Sequence, residues 1–232
     1  CTIHMFDGSV YRCRITLKEL KKQLDEGFME VKRGCMIAVS AISDIGDKIL
    51  LSNGEEICYT KRKKKALREE LQKKQELMIA KISKKKLPLT PEEYSKYYKI
   101  CDSLPFAFTD IEMVFNEEKK AVDWIFRYGN EALATLEKLP LDKMIGNSFS
   151  SLFSNMDAKW LHVYERATLY GETLEIMDYS PEIDTNLKII CFPTFPGHCG
   201  CILFNADQMK SISEENHLVR LAAVAMKSNP TI

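Results

Sequence analysis

Residues 56–71 constrain this chain more than any other stretch. They begin as a short strand, Glu56-Ile57-Cys58-Tyr59, cross five consecutive cations, Lys61-Arg62-Lys63-Lys64-Lys65, and continue with leucines at positions 67 and 71. Apolar residues four apart predict a helix. The cations are therefore carried on an ordered strand-to-helix junction, unlike those of a basic disordered tail. They fall in the first turn of the predicted helix, where the dipole disfavours positive charge. A compensating anion is implied, DNA phosphate is one candidate, and the stretch reads as one edge of a DNA-binding surface.

The charge balance of the whole chain supports a division of labour. Lysines and arginines equal aspartates and glutamates at 33 each, yet residues 1–90 hold 20 of these cations against 12 acids, and residues 91–232 hold 13 against 21. Opposite signs in the two halves predict one half for a polyanion and another for something else. A length of 232 residues is enough for two ordinary domains with cores of their own. The eight cysteines, at 1, 13, 35, 58, 101, 191, 199 and 201, are scattered through apolar segments. They read as small buried hydrophobes of a reducing cytoplasm rather than as a disulfide framework. No apolar run approaches the length of a membrane span and no segment reads as a secretory signal. Cys1 stands inside a strand-like segment, so further residues are expected ahead of it.

In the first half, residues 2–6 and 10–15 read as a hairpin around Asp7-Gly8. Thr16 caps a short helix with Leu17, Leu20 and Leu24 on one side, Glu19 at the third position and Gly27 at its end. Strands follow over 28–32, with Arg33-Gly34 as a turn, and over 36–39 and 48–51. Asn53-Gly54 then turns the chain into the strand at 56–59.

Three stretches, Thr16-Leu17-Lys18-Glu19-Leu20, residues 28–39 from Phe28-Met29-Glu30-Val31-Lys32-Arg33-Gly34 onward, and Lys48-Ile49-Leu50-Leu51-Ser52-Asn53-Gly54-Glu55, resemble the LytTR family of bacterial DNA-binding domains. Tyr59-Thr60-Lys61-Arg62-Lys63-Lys64 completes the resemblance, which covers roughly residues 1–73. It implies a mostly-β domain that presents loops, not a recognition helix, to successive major grooves of double-stranded DNA. By position it places Lys32 and Arg33 on a base-contacting loop and Arg62 on the contact at the end of the last strand, beside Lys61, Lys63 and Lys64. A further contact loop of the family would precede Cys1.

A helical, basic linker is expected over 76–90, where Lys84-Lys85-Lys86 and two prolines end the preceding helix. Thr90-Pro91-Glu92-Glu93 opens the second half as a capped helix start. Strands are predicted over 106–115, 121–128, 173–179, 187–193 and 200–205. Helices are predicted from Gly129, around Phe149, and over 160–171, and a last one over 214–226. Tyr128-Gly129-Asn130-Glu131-Ala132-Leu133, Leu141-Asp142-Lys143-Met144-Ile145-Gly146-Asn147-Ser148-Phe149, and the helix at 160–171 are similar to PAS domains over about residues 97–208. That resemblance implies a five-stranded antiparallel sheet with helices, used for sensing or dimerisation, with a cavity that takes a small-molecule ligand.

The fold class is thus α+β, and the chain reads as a cytoplasmic bacterial transcription regulator, dimerised through its PAS-like half. Tyr94, Tyr97 and Tyr98 ahead of the sheet, with Leu218 and Leu221 behind it, are expected to leave apolar surface for symmetric pairing. No catalytic constellation is visible: Glu117-Glu118 lie in a turn, and His162 stands alone on a helix face. His198-Cys199-Gly200-Cys201 alternates between the two faces of a strand and makes a poor metal site. No cofactor is predicted and the ligand is not specified. Two other readings stay open: the sensory part of a nucleotide-signalling enzyme with an output domain beyond Ile232, and a basic module for RNA or an acidic protein. RNA-stacking modules need exposed aromatics beside their cations, and only Tyr59 offers one.

Overall fold

The computed structural model describes residues 1–5, 8–85, 89–154 and 158–206. The helix expected over 214–226, with Leu218 and Leu221, lies outside the described residues, as do Asp7 and Lys86. Contacts divide the chain into two units, Cys1–Met78 and Ile79–Ile232.

The first unit is built from short antiparallel strands. Strands β1 (Thr2–His4) and β2 (Val10–Arg12) pair, as do β3 (Phe28–Lys32) and β4 (Cys35–Ala38). A three-stranded sheet joins β5 (Ile42–Ile45), β6 (Ile49–Leu51) and β7 (Glu56–Ile57). The expected turn residues set the hairpins: Gly34 between β3 and β4 has φ +79°, and Gly54 between β6 and β7 has φ +86°. Both angles lie in the left-handed region that glycine enters without a Cβ penalty. Helix α1 (Leu17–Gln23) opens on the reciprocal Thr16–Glu19 cap. It ends a turn before Gly27, because Leu24 is already extended (ψ 141°) and Asp25 Oδ1 accepts the Gly27 N–H at 2.8 Å. No residue of α1 is buried, so packing does not favour another turn over this local bond. Alternation along β3 buries Met29 and Val31 and leaves Lys32 exposed at its end. Ile37, Ile45, Ile49 and Leu67 complete the core, the last from helix α2 (Lys64–Lys85).

The second unit contains the expected five-stranded antiparallel sheet. Its strands are β8 (Ala107–Phe115), β9 (Ala121–Gly129), β10 (Leu174–Ser180), β11 (Thr185–Pro193) and β12 (His198–Asn205), in the spatial order β10-β11-β12-β8-β9. Helices α4 (Glu131–Glu137), α5 (Leu141–Met144), α6 (Phe149–Leu152) and α7 (Ala158–Tyr170) connect the second strand to the third and line one face. In α7 the residues at i, i+4 and i+7, Trp160, Tyr164 and Ala167, face the sheet, and Gly171 ends the helix at φ +69°. Asn130 ties three elements together. Its Oδ1 accepts from the N–H groups of Phe108 (3.0 Å) and Leu133 (3.1 Å), and its Nδ2 donates to the carbonyls of Cys101 and Phe106 (both 3.0 Å). A Cβ on the neighbouring Gly129 would stand 2.6 Å from Leu133 Cδ2, so a larger residue at this strand-to-helix corner would require the leucine side chain to shift.

The other face of the sheet is covered as well, and here one expectation is corrected. Helix α3 (Pro91–Tyr97), opened by the reciprocal Thr90–Glu93 cap, leads into a 3₁₀ turn at Lys99–Ser103. Tyr94 and Tyr98 are only 3% and 2% exposed, packed with Phe108, Phe192, Ile202 and Phe204. They fill their own chain's second core rather than leaving apolar surface for a partner. All eight cysteines are free thiols; Cys101, Cys191, Cys199 and Cys201 are buried, whereas Cys1 and Cys58 are exposed.

Candidate nucleic-acid interface

The basic run does not start the helix directly. Lys61–Lys63 form a 3₁₀ turn, closed by the Lys63 N–H on the Thr60 carbonyl at 2.8 Å, and α2 begins at Lys64. A 3₁₀ turn has poorer internal hydrogen bonding than an α-helix. Two side chains on either side fix its position instead. Before it, the Tyr59 hydroxyl donates to the Gly46 carbonyl at 2.5 Å; after it, Arg68 Nε donates to the Ile45 carbonyl at 2.9 Å. Both grip the β5–β6 turn, and Lys64 adds an ion pair to Asp47 of that turn at 3.9 Å.

These attachments sort the cations. Lys61, Arg62 and Lys63 are exposed on the 3₁₀ turn, and Lys32 and Arg33 are exposed at the tip of the β3–β4 hairpin. Among the described residues the side chains of these five make no ion pair and no hydrogen bond. Lys64 is half-buried and paired, Lys65 is paired with Glu69 at 3.9 Å, and Lys74 donates to the Glu26 carbonyl at 2.8 Å. Lys63 lines one cleft of the first unit together with Glu30 and Met36 of the β3–β4 hairpin, so the basic turn and that hairpin share an edge. Sequence reasoning missed Tyr59 and Arg68 as positioning residues. Their partners are backbone carbonyls, which carry no residue-type signal.

The second unit has a polar centre that the sequence did not announce. Asp110 is fully buried; it accepts from the Tyr98 hydroxyl at 2.8 Å and from Thr194, and contacts His198 Nδ1 at 2.6 Å. The Tyr94 hydroxyl lies 3.3 Å from His198 Nε2, and Arg127 Nε donates to Glu112 at 2.6 Å. Burial, then the Asp110 charge, holds the Tyr98 hydroxyl far above the ordinary range, so it remains a donor. This cluster pins α3 to the sheet. In the 198–201 segment, His198 faces this cluster while Cys199 and Cys201 join the opposite core, and so the three do not converge. Cys199 Sγ is 3.8 Å from Cys201 Sγ, and burial raises both thiols, which favours the neutral form. His162 is half-buried on α7 with Nε2 unbonded, and burial lowers its pKa.

Exposed cations thus stand on two ordered turns of the first unit, the 3₁₀ turn at Lys61–Lys63 and the tip of the β3–β4 hairpin. Residues 1–72 match the family described as the LytTr DNA-binding domain. The first unit therefore contains a LytTr domain, the DNA-binding output of transcription regulators, and the sequence resemblance holds for this part of the chain. No curated protein matches the chain. Among the described residues no helix is long and apolar enough to cross a membrane.

Proposed function

We propose that the chain is a cytoplasmic bacterial transcription regulator whose first unit reads duplex DNA and whose second unit is a PAS-type module that senses a ligand and pairs two copies. The observation that carries the DNA reading is the set of five exposed cations without side-chain partners among the described residues, held on two ordered turns of a LytTr domain. Arg33 at its hairpin tip can fork onto a guanine edge in the major groove. Lys32 and Arg62 supply the neighbouring contacts, Lys61 and Lys63 neutralise phosphates, and Lys64, paired with Asp47, adds less to the same edge. Tyr59 and Arg68 act as positioning residues.

The PAS-type reading is supported by the sheet. In strand order it runs second, first, fifth, fourth, third, with four helices between the second strand and the third. Pairing is supported by apolar side chains of this unit that stay in solvent, chiefly Ile100 at 78% exposure and Met177 at 64%. Two joined DNA-binding heads gain affinity for paired sites through effective concentration.

The test is fluorescence anisotropy of a labelled duplex titrated with the chain over a range of salt, with sedimentation equilibrium in parallel. Saturable binding that weakens steeply with salt, by a dimer at tens of micromolar, is the expected result. No binding at low salt would overturn the DNA reading, and a clean monomer would remove pairing from the mechanism.

A further inference from the structure

The inner face of the second unit lines a small, half-open cavity of about 30 Å³ whose chemistry is one-sided. Trp124, Trp160, Tyr164 and Phe149 line it, and two carboxylates, Glu137 and Glu182, stand in the same lining. Glu137 is the last residue of α4, placed there because Lys138 turns left-handed (φ 54°) and ends the helix. Glu182 comes from the turn between β10 and β11. Its Oε2 accepts from the Ser180 hydroxyl, while its Oε1 is buried without a hydrogen-bond partner. Glu137 makes no hydrogen bond or ion pair among the described residues.

Two carboxylates beside aromatic walls, with an orphaned buried oxygen, lack a counter-charge. Burial first, then the charge of Glu182, pushes the Glu137 carboxyl up to about 7. A cation fits between them once Glu137 is ionised, where an anion would meet two like charges. Among the described residues no group of three or more histidines, cysteines, aspartates or glutamates stands together to hold a metal ion, and the other hydroxyls of the lining are those of Ser180, Tyr164 and Thr109, the last already donating to the Tyr128 carbonyl at 2.7 Å. Aromatic walls with carboxylates suit an ammonium group, which gains from the ring faces and donates to the oxygens. The volume admits a group between water and methylammonium in size.

We propose that this cavity binds the ammonium head of a small primary amine, with Glu137 and Glu182 as its counter-ions and Trp124 and Trp160 in its walls. The inference rests on the reading of the second unit as the sensing half and names the chemical class of its ligand. Other titratable groups facing Glu137 are Glu182 from the β10–β11 turn, Tyr164 from α7 and Cys201 from β12. Lys138, next in the chain, is held 3.5 Å from the Ile183 carbonyl.

The chain has two tryptophans, and both line the cavity, so intrinsic fluorescence reports on it directly. Methylammonium chloride is titrated into the whole chain at pH 8, against potassium chloride at equal ionic strength and tetramethylammonium chloride as an oversized cation. Methylammonium alone gives a saturable change. Glu137→Gln and Glu182→Gln each raise the half-saturating concentration at least about tenfold, the loss of one close charge pair. Binding is weaker at pH 6 than at pH 8, because Glu137 must be ionised. A flat titration, the same response to potassium, or full response in both variants overturns the proposal and leaves a carboxyl pair sharing a proton. Should either variant lose its far-UV circular dichroism, the wild-type melting point decides: methylammonium must raise it above the potassium control. DNA binding is measured by anisotropy on the same chain, so its failure is distinct from failure of the amine site.

Discussion

Replacing Lys61 and Lys63 together with alanine gives the most direct measure of the basic turn. Both are exposed and neither makes an ion pair or side-chain hydrogen bond among the described residues, so their removal costs the fold little, within about 0.5 kcal/mol. On DNA the effect is large and has a defined form. Each neutralised phosphate contributes about 0.9 to the slope of log affinity against log salt. The five partnerless cations thus set an upper slope of about 4.5 for one domain, an approximately 500-fold loss between 50 and 200 mM salt. The double variant should fall to a slope of about 2.7 and a loss of about 40-fold, equally on specific and random duplexes. Anisotropy at four salt concentrations measures this. The control is Lys74→Met, because Lys74 already donates to the Glu26 carbonyl and should leave the slope nearly unchanged. An unchanged slope in the double variant, or an equal drop in the control, would refute the assignment of Lys61 and Lys63 to phosphates.

Arg33→Ala should relax base preference at one or two positions by about 1–3 kcal/mol while random-sequence binding persists, and Arg33→Lys should not restore it, since an ammonium cannot form the planar fork; selection from a randomised duplex pool reads both. Arg68→Met should weaken DNA binding without removing a phosphate contact, because the basic turn loses its anchor on the Ile45 carbonyl; the salt slope should therefore stay near wild type while affinity falls. Tyr98→Phe removes a donor from the buried Asp110 carboxylate and should lower unfolding free energy by about 1.5–3 kcal/mol in a urea titration. Glu137 has a carboxyl raised in the folded state, so it binds a proton there that the unfolded chain has released. Its contribution to stability is present below the ordinary carboxyl value of 4.5, is lost as pH rises towards about 7, and is constant above. Glu137→Gln should accordingly raise the melting point at pH 8 more than at pH 5, and a uniform shift across pH would contradict this.

Much of the fold was legible because its signals are local. Thr16 with Glu19 and Thr90 with Glu93 close their caps within four residues, and Asn53-Gly54 and Arg33-Gly34 turn where a glycine must accept a positive φ. Alternation then places the strands, since a pleated strand sends successive side chains to opposite faces. The charge run at 61–65 is likewise visible without help from distant residues.

Partnership was decided only by tertiary structure. Charge along the chain does not separate Lys63, which has no side-chain partner among the described residues, from Lys64, which meets Asp47, or from Arg68, which holds the Ile45 carbonyl. Spacing suggested that Tyr94 and Tyr98 would remain for a partner, but the outer face of the chain's own sheet buries them. Asp110 meets His198 across 88 residues because β8 and β12 pair in one register. Glu137 and Glu182 line one cavity because a helix end and a strand turn converge beside the same sheet. Caps and turns are fixed by sterics and hydrogen bonds between near neighbours in sequence. Whether a distant charge finds a partner depends on register and topology, since a slip of one residue moves every side chain of a strand to the other face.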